Sequence, residues 1–497
     1  MVFNSYIFIL VFLPIVVCGY FVLNKVCYRK KGQAGLLWLL GLSIWFYTYE
    51  LSVGFLLFGS SILINYYLGR VVGKKKEKWI LIIGILLNLL PLLYFKYTNF
   101  ILGFFKQWHS IEWKQEIIVP LGISFYTFMQ IAYLVDCYRE DNKYDYTLVE
   151  YATYMTFFPK IAMGPIVLHS DIIPQFRDKA KKQVNYDNLS SGLYAFALGL
   201  AKKVLLADVL AQFVDLGYFY EELYFLNSAT AILVIVSYTL QLYFDFSGYC
   251  DMAMGIARML NIELPYNFNS PYKARSISEF WERWHITLTR FFTQYVYIPL
   301  GGSRKGKIRT YLNTMIIFLL SGLWHGADWT FIMWGALHGA LMTIEKMGKD
   351  LSCKIYKTYK ISGKILGCIR WAVTFFTINV LWVFFRAGNM NFASLIFKGI
   401  AKGGWNIGEA FTECFYELLE IRILGRLGMS GIIEACGDWF IWGIYAIMVL
   451  TIVLGKNTQE KMLLQKYNGI RGIITAGLLV WCVISLSNMS VFLYFNF

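Results

Sequence analysis

The chain of 497 residues is 58% hydrophobic and only 15% charged, and its 46 basic residues outnumber its 31 acidic ones to give a formal net charge of +15. A soluble domain carries about a quarter charged residues, so the composition excludes a soluble globular protein. An excess of basic over acidic residues is also typical of nucleic-acid-binding proteins, but this sequence contains no soluble domain that would bind nucleic acid. It predicts instead an all-α polytopic membrane protein.

Apolar runs long enough to cross a bilayer, which needs about 20 residues per helix, recur along the whole chain. They are Met1–Asn24, Trp79–Phe95, Ala231–Phe246, Ile365–Phe385 and Ile470–Leu486. Together with shorter or interrupted runs they predict roughly ten to twelve transmembrane helices in a single membrane domain, residues 1–497.

Basic residues are concentrated in short loops between the apolar runs, whereas the intervening loops are acidic or mixed. The basic loops are Lys25–Lys31, Arg70–Lys78, Arg304–Arg309, Lys346–Lys364 and Lys456–Arg471. The positive-inside rule places these loops in the cytosol and the N-terminus outside. Because no positive charge precedes the first apolar run, that run is interpreted as a retained anchor and not as a cleaved signal peptide.

Two regions predict departures from simple spanning helices. Gly35–Tyr49 and Leu51–Leu68 suggest a helical hairpin joined at Glu50, and Tyr151–His169 is split by Pro159 and by Gly164-Pro165. Non-helical backbone at membrane depth is tolerated only where protein or a water-filled cavity surrounds it. The second region is therefore expected to be re-entrant and to lie beside a cavity.

The segment from Ser276 to Phe292 predicts an interfacial amphipathic helix. Ser276 and Glu279 have capping-box spacing. Apolar residues then recur at helical intervals, namely Ile277, Trp281, Trp284, Leu288 and Phe292. Such a helix is expected at the inner membrane surface, with His285 at the edge of its apolar stripe.

The histidine with the most informative surroundings is His325, which lies in the apolar stretch Phe318–Trp334. An ionisable residue at such depth is a functional candidate by default, and imidazole is the natural general base near neutral pH. The alternative is a histidine that only forms a hydrogen bond between helices. Gly322 and Gly326 allow a close backbone or ligand approach, which favours a functional role.

The other four histidines carry weaker signals. His285 beside Trp284 has, on its own, the pattern of an interfacial anchor, and His338 is expected to face neighbouring helices. His109 and His169 fall in predicted loops and receive no role.

Several other chemistries lack their sequence motifs. No two histidines stand four residues apart as in a zinc-binding HExxH motif, and neither a phosphate-binding loop nor a GxSxG nucleophile elbow occurs. No metal site is predicted. Asp245 and Asp251 lie within an apolar run and suit an ion path, which keeps a transporter among the alternatives.

Three motifs in a fixed order resemble the membrane-bound O-acyltransferase (MBOAT) family: Phe280–Arg290, Tyr297–Gly302 and Gly322–Trp329. Further matching segments extend over nearly the whole chain. They are Met1–Ser5, Pro120–Tyr126, Phe158–Pro165, Tyr243–Asp251 and Phe492–Phe495. Within the family the resemblance is strongest to members that O-acetylate alginate, a bacterial exopolysaccharide, and weaker to members that serve teichoic acid D-alanylation.

The resemblance implies an MBOAT fold with a catalytic core at about 117–345, flanked by N-terminal helices at 1–105 and C-terminal helices at 365–497. It implies passage of an acetyl or other short acyl group from a cytosolic thioester through the membrane. Acetyl-CoA is the expected donor substrate, and no bound cofactor is expected. The expected location is the bacterial cell membrane.

The resemblance also implies residue roles. His325 matches the histidine shared across the family and is expected to deprotonate or orient the acceptor hydroxyl. His285 matches a second polar residue and is expected to donate a hydrogen bond to the thioester carbonyl or to orient the thioester. The expected substrate-binding residues are Trp324, Arg283, Trp284, Asp245 and Asp328. Arg283 and Arg290 suit the donor's phosphates, with inner-leaflet contact as the alternative.

An extracytoplasmic SGNH-type acetyltransferase is the expected protein partner, so that the polysaccharide is reached only indirectly. The outer segments are short, and the largest of them, Ala387–Gly437, has no serine-nucleophile motif. The aromatic tail Val491–Phe497 suits either partner docking or an interfacial belt. The alternative function is a transporter or flippase for a glycan or lipid-linked precursor, although such proteins usually show paired half-repeats and none is found here. A structural assembly subunit is a third possibility.

Overall fold

The computed structural model describes residues 1–27, 33–49, 52–106, 117–140, 145–218, 223–359, 363–464, 468–488 and 492–493. Throughout these residues the regular structure is helical, and the single β-type interaction found there is an isolated antiparallel bridge between Phe268 and Trp284. The all-α prediction is therefore confirmed. Glu50, His109 and parts of the Lys25–Lys31 loop and the C-terminal tail lie outside the described residues.

Five helical stretches of the described chain are long and apolar enough to cross a membrane, or six if a bent pair counts as one span. The five are Phe8–Val26, Gly54–Lys75, Lys78–Gly103, Ser228–Met259 and Gly363–Arg386. The bent pair is Glu420–Cys436 with Asp438–Leu454, at 105°. Shorter helices and helices with more polar residues lie between these spans, so the count of ten to twelve stays a prediction.

The described residues of the N-terminal part form five α-helices and two π-helical turns, Phe8–Phe12 and Leu93–Tyr97. The helices are α1 (Leu13–Val26), α2 (Ala34–Thr48), α3 (Ser52–Lys75), α4 (Lys78–Leu92) and α5 (Thr98–Lys106). Helices α2 and α3 occupy the two arms of the predicted hairpin.

The middle part contains the long central helices and several short ones. The helices are α6 (Ile123–Arg139), α7 (Leu148–Thr156), α8 (Phe158–Ile161), α9 (His169–Arg177), α10 (Tyr186–Ala201), α11 (Asp208–Tyr218), α12 (Ser228–Met259), α13 (Ile277–Arg283), α14 (Ile286–Phe292), α15 (Lys307–His325) and α16 (Trp329–Tyr359).

The C-terminal part packs beside this core. The helices are α17 (Gly363–Arg386), α18 (Met390–Ala401), α19 (Glu409–Tyr416), α20 (Leu419–Leu424), α21 (Ser430–Cys436), α22 (Asp438–Leu454), α23 (Thr458–Leu464) and α24 (Gly469–Ile484). The apolar run predicted at Ile470–Leu486 corresponds mainly to α24.

Helix α12 runs through the middle of the bundle, since 89% of its most apolar stretch is buried by protein, against 28–39% for the other four spans. Helix α10 lies against it through two pairs of facing glycines. A Cβ at Gly199 would come within 2.5 Å of Gly248 O, and a Cβ at Gly255 within 2.6 Å of Gly192 O. Small residues at both crossings therefore permit backbone contact, as in packed membrane helices.

Two lysines between α10 and α11 pair with aspartates buried beside them. The π-helical turn Lys202–Ala207 carries both. Lys203 Nζ lies 2.8 Å from Asp245 Oδ1 and 2.8 Å from Asp208 Oδ1, and Lys202 Nζ lies 2.6 Å from Asp251 Oδ2. A buried charge left without its partner would be strongly destabilising. These ion pairs explain how the lysines interrupt an apolar segment, and they give Asp245 and Asp251 a structural role where the sequence suggested an ion path.

The split segment Tyr151–His169 is enclosed by protein, whereas its re-entrant path stays a prediction. Helix α7 ends at Thr156, the one-turn helix α8 follows, and α9 begins at His169. Every residue of 151–169 except Ala152 is buried. The broken backbone is therefore shielded from lipid, the condition under which such breaks are tolerated.

The prediction of a single amphipathic helix from Ser276 to Phe292 is wrong. The chain forms α13 and α14, and between them Trp284 is extended and His285 has left-handed backbone angles (φ 46°, ψ 50°). Tertiary contacts override the helical periodicity, because Trp284 bridges to Phe268 and the Ile286 N–H donates to Asn267 O. The aromatic side chains are also buried in protein, with Trp284 only 1% exposed, so they do not form an apolar face directed at the membrane.

The N-cap of α13 agrees with its sequence pattern in part. Ser276 Oγ accepts from the Glu279 N–H at 3.1 Å, as expected. The Glu279 carboxylate, however, accepts from the Arg275 N–H and not from the Ser276 N–H. One half of the capping box therefore forms at the predicted residue, and the other half is shifted by one position.

Two sets of loop contacts each join segments that the positive-inside rule places on the same side. Lys273 Nζ donates to Gly455 O, joining two segments expected inside. The N–H groups of Ser228 and Ala229 donate to the carbonyls of residues 403 and 404, joining two segments expected outside. These contacts separate the two faces but do not orient them, so the outside N-terminus stays a prediction.

Cysteine labelling will orient the faces. In a background lacking the native cysteines, cysteines at the exposed positions Lys75 and Lys305 should react with a membrane-impermeant maleimide only after cell lysis. A cysteine at the exposed Glu417 should react in intact cells. The expectation follows from the retention of basic loops in the cytosol. Labelling of Lys75 or Lys305 positions in intact cells would reverse the topology.

Candidate active site

His325 is the last residue of α15 and lies at the tight hairpin between α15 and α16. Close backbone packing makes this hairpin possible, because a Cβ at Gly322 would collide with Phe331 O and a Cβ at Gly335 with Phe318 O. The chain leaves the helix at Gly326, which is extended. His325 is only 3% exposed, so the sequence places this imidazole at a helix end deep within the protein.

The carbonyl end of α15 is held by two side chains from the π-helical turn Leu93–Tyr97. Lys96 Nζ donates to Trp324 O at 2.6 Å and to His325 O at 3.0 Å, and Tyr97 Oη donates to Leu323 O at 2.6 Å. The last carbonyls of a helix lack partners within the helix, and a cation is favourable at this negative end of the dipole. Lys96 and Tyr97 therefore fix the backbone that carries His325.

His285 reaches the same region from the break between α13 and α14. Its side chain is fully buried, and its Nδ1 lies 3.1 Å from Asn267 Oδ1. The same Asn267 oxygen accepts from the Thr287 N–H at 3.3 Å and from Thr287 Oγ1 at 2.9 Å. The left-handed backbone at His285 thus turns its imidazole inward, toward the core and away from the membrane surface.

The two imidazoles meet in an aromatic enclosure. Their ring centroids are 6.2 Å apart, and the Trp324 indole contacts both, at 4.8 Å from His325 and 6.0 Å from His285. The remaining walls include Trp334 and Phe385 beside His325 and Phe246 beside His285. Rings hydrogen-bonded directly to each other would lie closer. The two imidazoles are therefore close neighbours that are not hydrogen-bonded to each other.

The two tryptophans of the predicted site differ in their position relative to this enclosure. Trp324 is part of it, stacks on Phe128 at 5.4 Å and donates from Nε1 to Ser124 O. Trp284 neighbours His285 in sequence, but its ring stacks on Phe280 at 5.5 Å and belongs to the surrounding packing. Only Trp324 of the two has ring contacts with both histidines.

The charged residues of the predicted site have other partners. Arg283 pairs with Glu279 at 2.9 Å and donates to Asn269 O. Asp328 accepts from the Thr330 N–H at the start of α16, and Asp245 pairs with Lys203. The structure therefore brings together His325, His285 and Trp324 but gives these three charged residues separate structural contacts.

Two further histidines are buried near or beside this core. His338 Nδ1 accepts from Trp281 Nε1 at 3.1 Å, in agreement with its expected position facing neighbouring helices. The loop position predicted for His169 is wrong: this residue starts α9, is fully buried, and lies 3.1 Å from Asp136 Oδ2 and 3.1 Å from Tyr146 Oη. Helix α9 starts there because the Asp171 carboxylate accepts from the Leu168 N–H.

Sequence reasoning missed the residues that hold the two histidines in place. Lys96 comes just after an apolar run, and that single cation within a membrane segment was the available signal. Asn267 has no distinguishing pattern in the sequence, since its role depends on contacts with residues at the break between α13 and α14. These residues become recognisable only once α15 and the α13–α14 break are seen together.

Comparison with known proteins agrees with this geometry. Residues 85–386 match the model of the MBOAT, membrane-bound O-acyltransferase, family. A peptidoglycan O-acetyltransferase of Helicobacter pylori is 38% identical over 100% of this chain and 98% of its own length. A probable alginate O-acetylase AlgI of Pseudomonas aeruginosa is 35% identical over 82% of this chain and 76% of its own. A teichoic acid D-alanyltransferase of Streptococcus thermophilus is 26% identical over 68% and 79%.

The chain belongs to the membrane-bound O-acyltransferase family. It is a multi-pass bacterial membrane enzyme that transfers acyl groups, and acetyl groups in particular. Family membership favours the enzyme over the transporter and assembly-subunit alternatives.

Proposed function

We propose that this enzyme transfers acetyl groups from cytosolic acetyl-CoA for the O-acetylation of an extracytoplasmic polysaccharide, with peptidoglycan as the acceptor. The observation that carries the chemistry is the meeting of His285 and His325 in one buried aromatic enclosure. The choice of acceptor rests on the Helicobacter pylori relative, whose match to this chain runs from end to end, whereas the match to the alginate O-acetylase is partial.

Acetyl transfer from a thioester to a hydroxyl requires one group that accepts the hydroxyl proton and one that stabilises charge on the carbonyl oxygen. As the new O–C bond forms, the C–S bond breaks, and the leaving sulfur takes up the proton. His325 and His285 supply the two imidazoles for these roles. The aromatic walls limit access of water, which protects the thioester from hydrolysis.

A polar recess of about 300 Å³ is the candidate position for the phosphates of the donor. Its lining includes two arginines, Arg139 and Arg290, and two acidic residues, Asp136 and Glu140. The recess adjoins the end of α6, where Lys76 from the basic loop expected in the cytosol donates to Cys137 O and Tyr138 O. Of the two arginines first considered for the donor's phosphates, this recess favours Arg290 over Arg283, although Arg290 also pairs with Asp171 at 2.8 Å.

The acetyl group is proposed to leave the enzyme for an extracytoplasmic SGNH-type transferase, which modifies the glycan. The two residues of the aromatic tail that the structure describes do not support docking through the tail. Phe492 is buried against Tyr249 at 5.2 Å, and the Leu493 N–H donates to Asp245 Oδ2. Both residues therefore contact the core of the enzyme.

Two measurements test the proposal. Purified enzyme is expected to consume acetyl-CoA and release free CoA thiol in the presence of a hydroxyl acceptor. Deletion of the gene should remove alkali-released acetate from purified peptidoglycan, and the plasmid-borne gene should restore it. Failure to consume acetyl-CoA would refute acetyl-CoA as the donor. If the deletion leaves peptidoglycan acetate unchanged and removes acetate from another surface glycan, peptidoglycan is not the acceptor.

A further inference from the structure

We propose that Asn267 is a positioning residue that holds His285 with its proton on Nδ1, so that His285 Nε2 accepts a hydrogen bond from the attacking hydroxyl and orients it. This inference rests on the proposed function and deepens it. It changes the role expected for His285, which was to donate a hydrogen bond to the thioester carbonyl.

The orientation of the Asn267 amide follows from its neighbours. Its Oδ1 lies 3.3 Å from the Thr287 backbone N–H, a group that can only donate. Thr287 Oγ1 accepts from the Ile166 N–H at 2.9 Å, and its own proton is then available to Asn267 Oδ1, 2.9 Å away. The opposite atom, Nδ2, faces Cys250 Sγ at 3.5 Å. Two donors therefore identify the atom next to His285 as the carbonyl oxygen, which settles an amide assignment that distances to His285 alone would leave open.

The tautomer of His285 follows from that assignment. A carbonyl oxygen 3.1 Å from Nδ1 requires a proton on Nδ1, and the neutral imidazole then carries its lone pair on Nε2. Nε2 is buried and has no hydrogen-bond partner in the part of the chain that the structure describes. A ring nitrogen held in this way is an acceptor aimed at a group that arrives from outside the protein. Neutral His285 cannot donate from Nε2 to a carbonyl oxygen.

The backbone strengthens the same constraint. His285 has a positive φ, which is costly for a residue with a side chain and persists only where neighbouring contacts enforce it. Asn267 supplies one such contact, since its backbone oxygen accepts from the Ile286 N–H at 3.0 Å. One residue thus fixes both the direction of the imidazole and its tautomer, as partners behind catalytic and metal-bound histidines do.

The proposed step is balanced within the known reactants. His285 Nε2 accepts a hydrogen bond from the hydroxyl and orients its oxygen toward the thioester carbonyl. As the O–C bond forms the C–S bond breaks, and His325 passes the hydroxyl proton to the leaving sulfur. The titratable groups that face His285 in the described structure are His325 from α15 and, behind Asn267, Cys250 from α12.

Two substitutions at Asn267 test the proposal on the purified, full-length enzyme. Asn267→Leu removes the acceptor opposite Nδ1 and is expected to lower kcat by about 10–100-fold with little change in KM, the usual size of such indirect effects. Asn267→Asp keeps the oxygen that orients Nδ1 but adds negative charge, which favours the imidazolium. It should recover activity relative to Asn267→Leu and shift the acid limb of the kcat profile to higher pH.

Asn379→Leu is the matched control, because Asn379 is also a buried amide, accepting from Thr239 Oγ1 and donating to Phe375 O. It should change protein yield without moving the pH profile. Unshifted profiles and unchanged kcat in both Asn267 variants would overturn this inference while leaving the proposed function intact. Absence of acetyl-CoA turnover in the wild-type enzyme would instead overturn the proposed function itself.

Discussion

Replacing His325 with alanine is expected to lower acetyl transfer by about 10²–10⁴-fold, whether its imidazole moves a proton or stabilises charge on the thioester. The amount of folded protein should stay near that of the wild type. Lys96 and Tyr97 bind backbone carbonyls at the end of α15 and not the imidazole. The helix end therefore keeps its partners after the substitution. The measurement is acetyl-CoA turnover by purified enzyme, normalised to monodisperse protein.

His169→Ala is the control for the removal of a buried imidazole. Its ring is fully buried and is bonded to Asp136 and Tyr146, with ring contacts to tyrosines and none to the His285–His325 pair. It should lower stability while preserving turnover per folded molecule. A well-folded His325→Ala enzyme that keeps more than about a tenth of wild-type turnover would remove His325 from the reaction.

Much of the fold follows from composition, and the identity of the site histidines follows from motif resemblance. Apolar runs and basic loops identify the membrane class without any knowledge of packing. The pairing of His285 with His325 is different, because neither histidine has a spacing relation to the other in the sequence. Only the break between α13 and α14 carries His285 inward, and the apolar periodicity of that segment predicts an unbroken helix. The contacts with Phe268 and Asn267 that cause the break come from outside the segment.

Buried cations show the same limit. Lys96 is visible as a charge in an apolar region, but its acceptors lie 228 and 229 residues away. The burial of Lys203 is likewise explained only by its ion pair with Asp245, 42 residues further along the chain. A sequence reveals that such charges must be compensated, but it does not reveal the partner, which is fixed by helix packing. The substrate-binding role expected for Asp245 takes no account of this partner, and it stays a prediction.

The second large effect concerns the polysaccharide, whose acetylation is expected to require a second protein. The two histidines proposed to carry out transfer are buried among aromatic side chains, 0% and 3% exposed, so a polymer at the protein surface does not contact them. On the face expected outside, the segments at 227–230 and 403–408 are hydrogen-bonded to each other. A long glycan must be gripped over several sugar units, and the short outer segments provide little surface for this.

The experiment is reconstitution of the enzyme in liposomes, with acetyl-CoA inside and peptidoglycan fragments outside. We expect glycan-bound acetate only when an SGNH-type transferase is added to the outer solution, because the buried histidines then serve a small hydroxyl and the partner handles the polymer. His325→Ala liposomes with the same partner are the control for leaked acetyl-CoA, and they should give none. Abundant glycan acetylation by the wild-type enzyme alone would show that the polymer reaches the buried site directly. That result would refute the relay while leaving the acetyltransferase assignment in place.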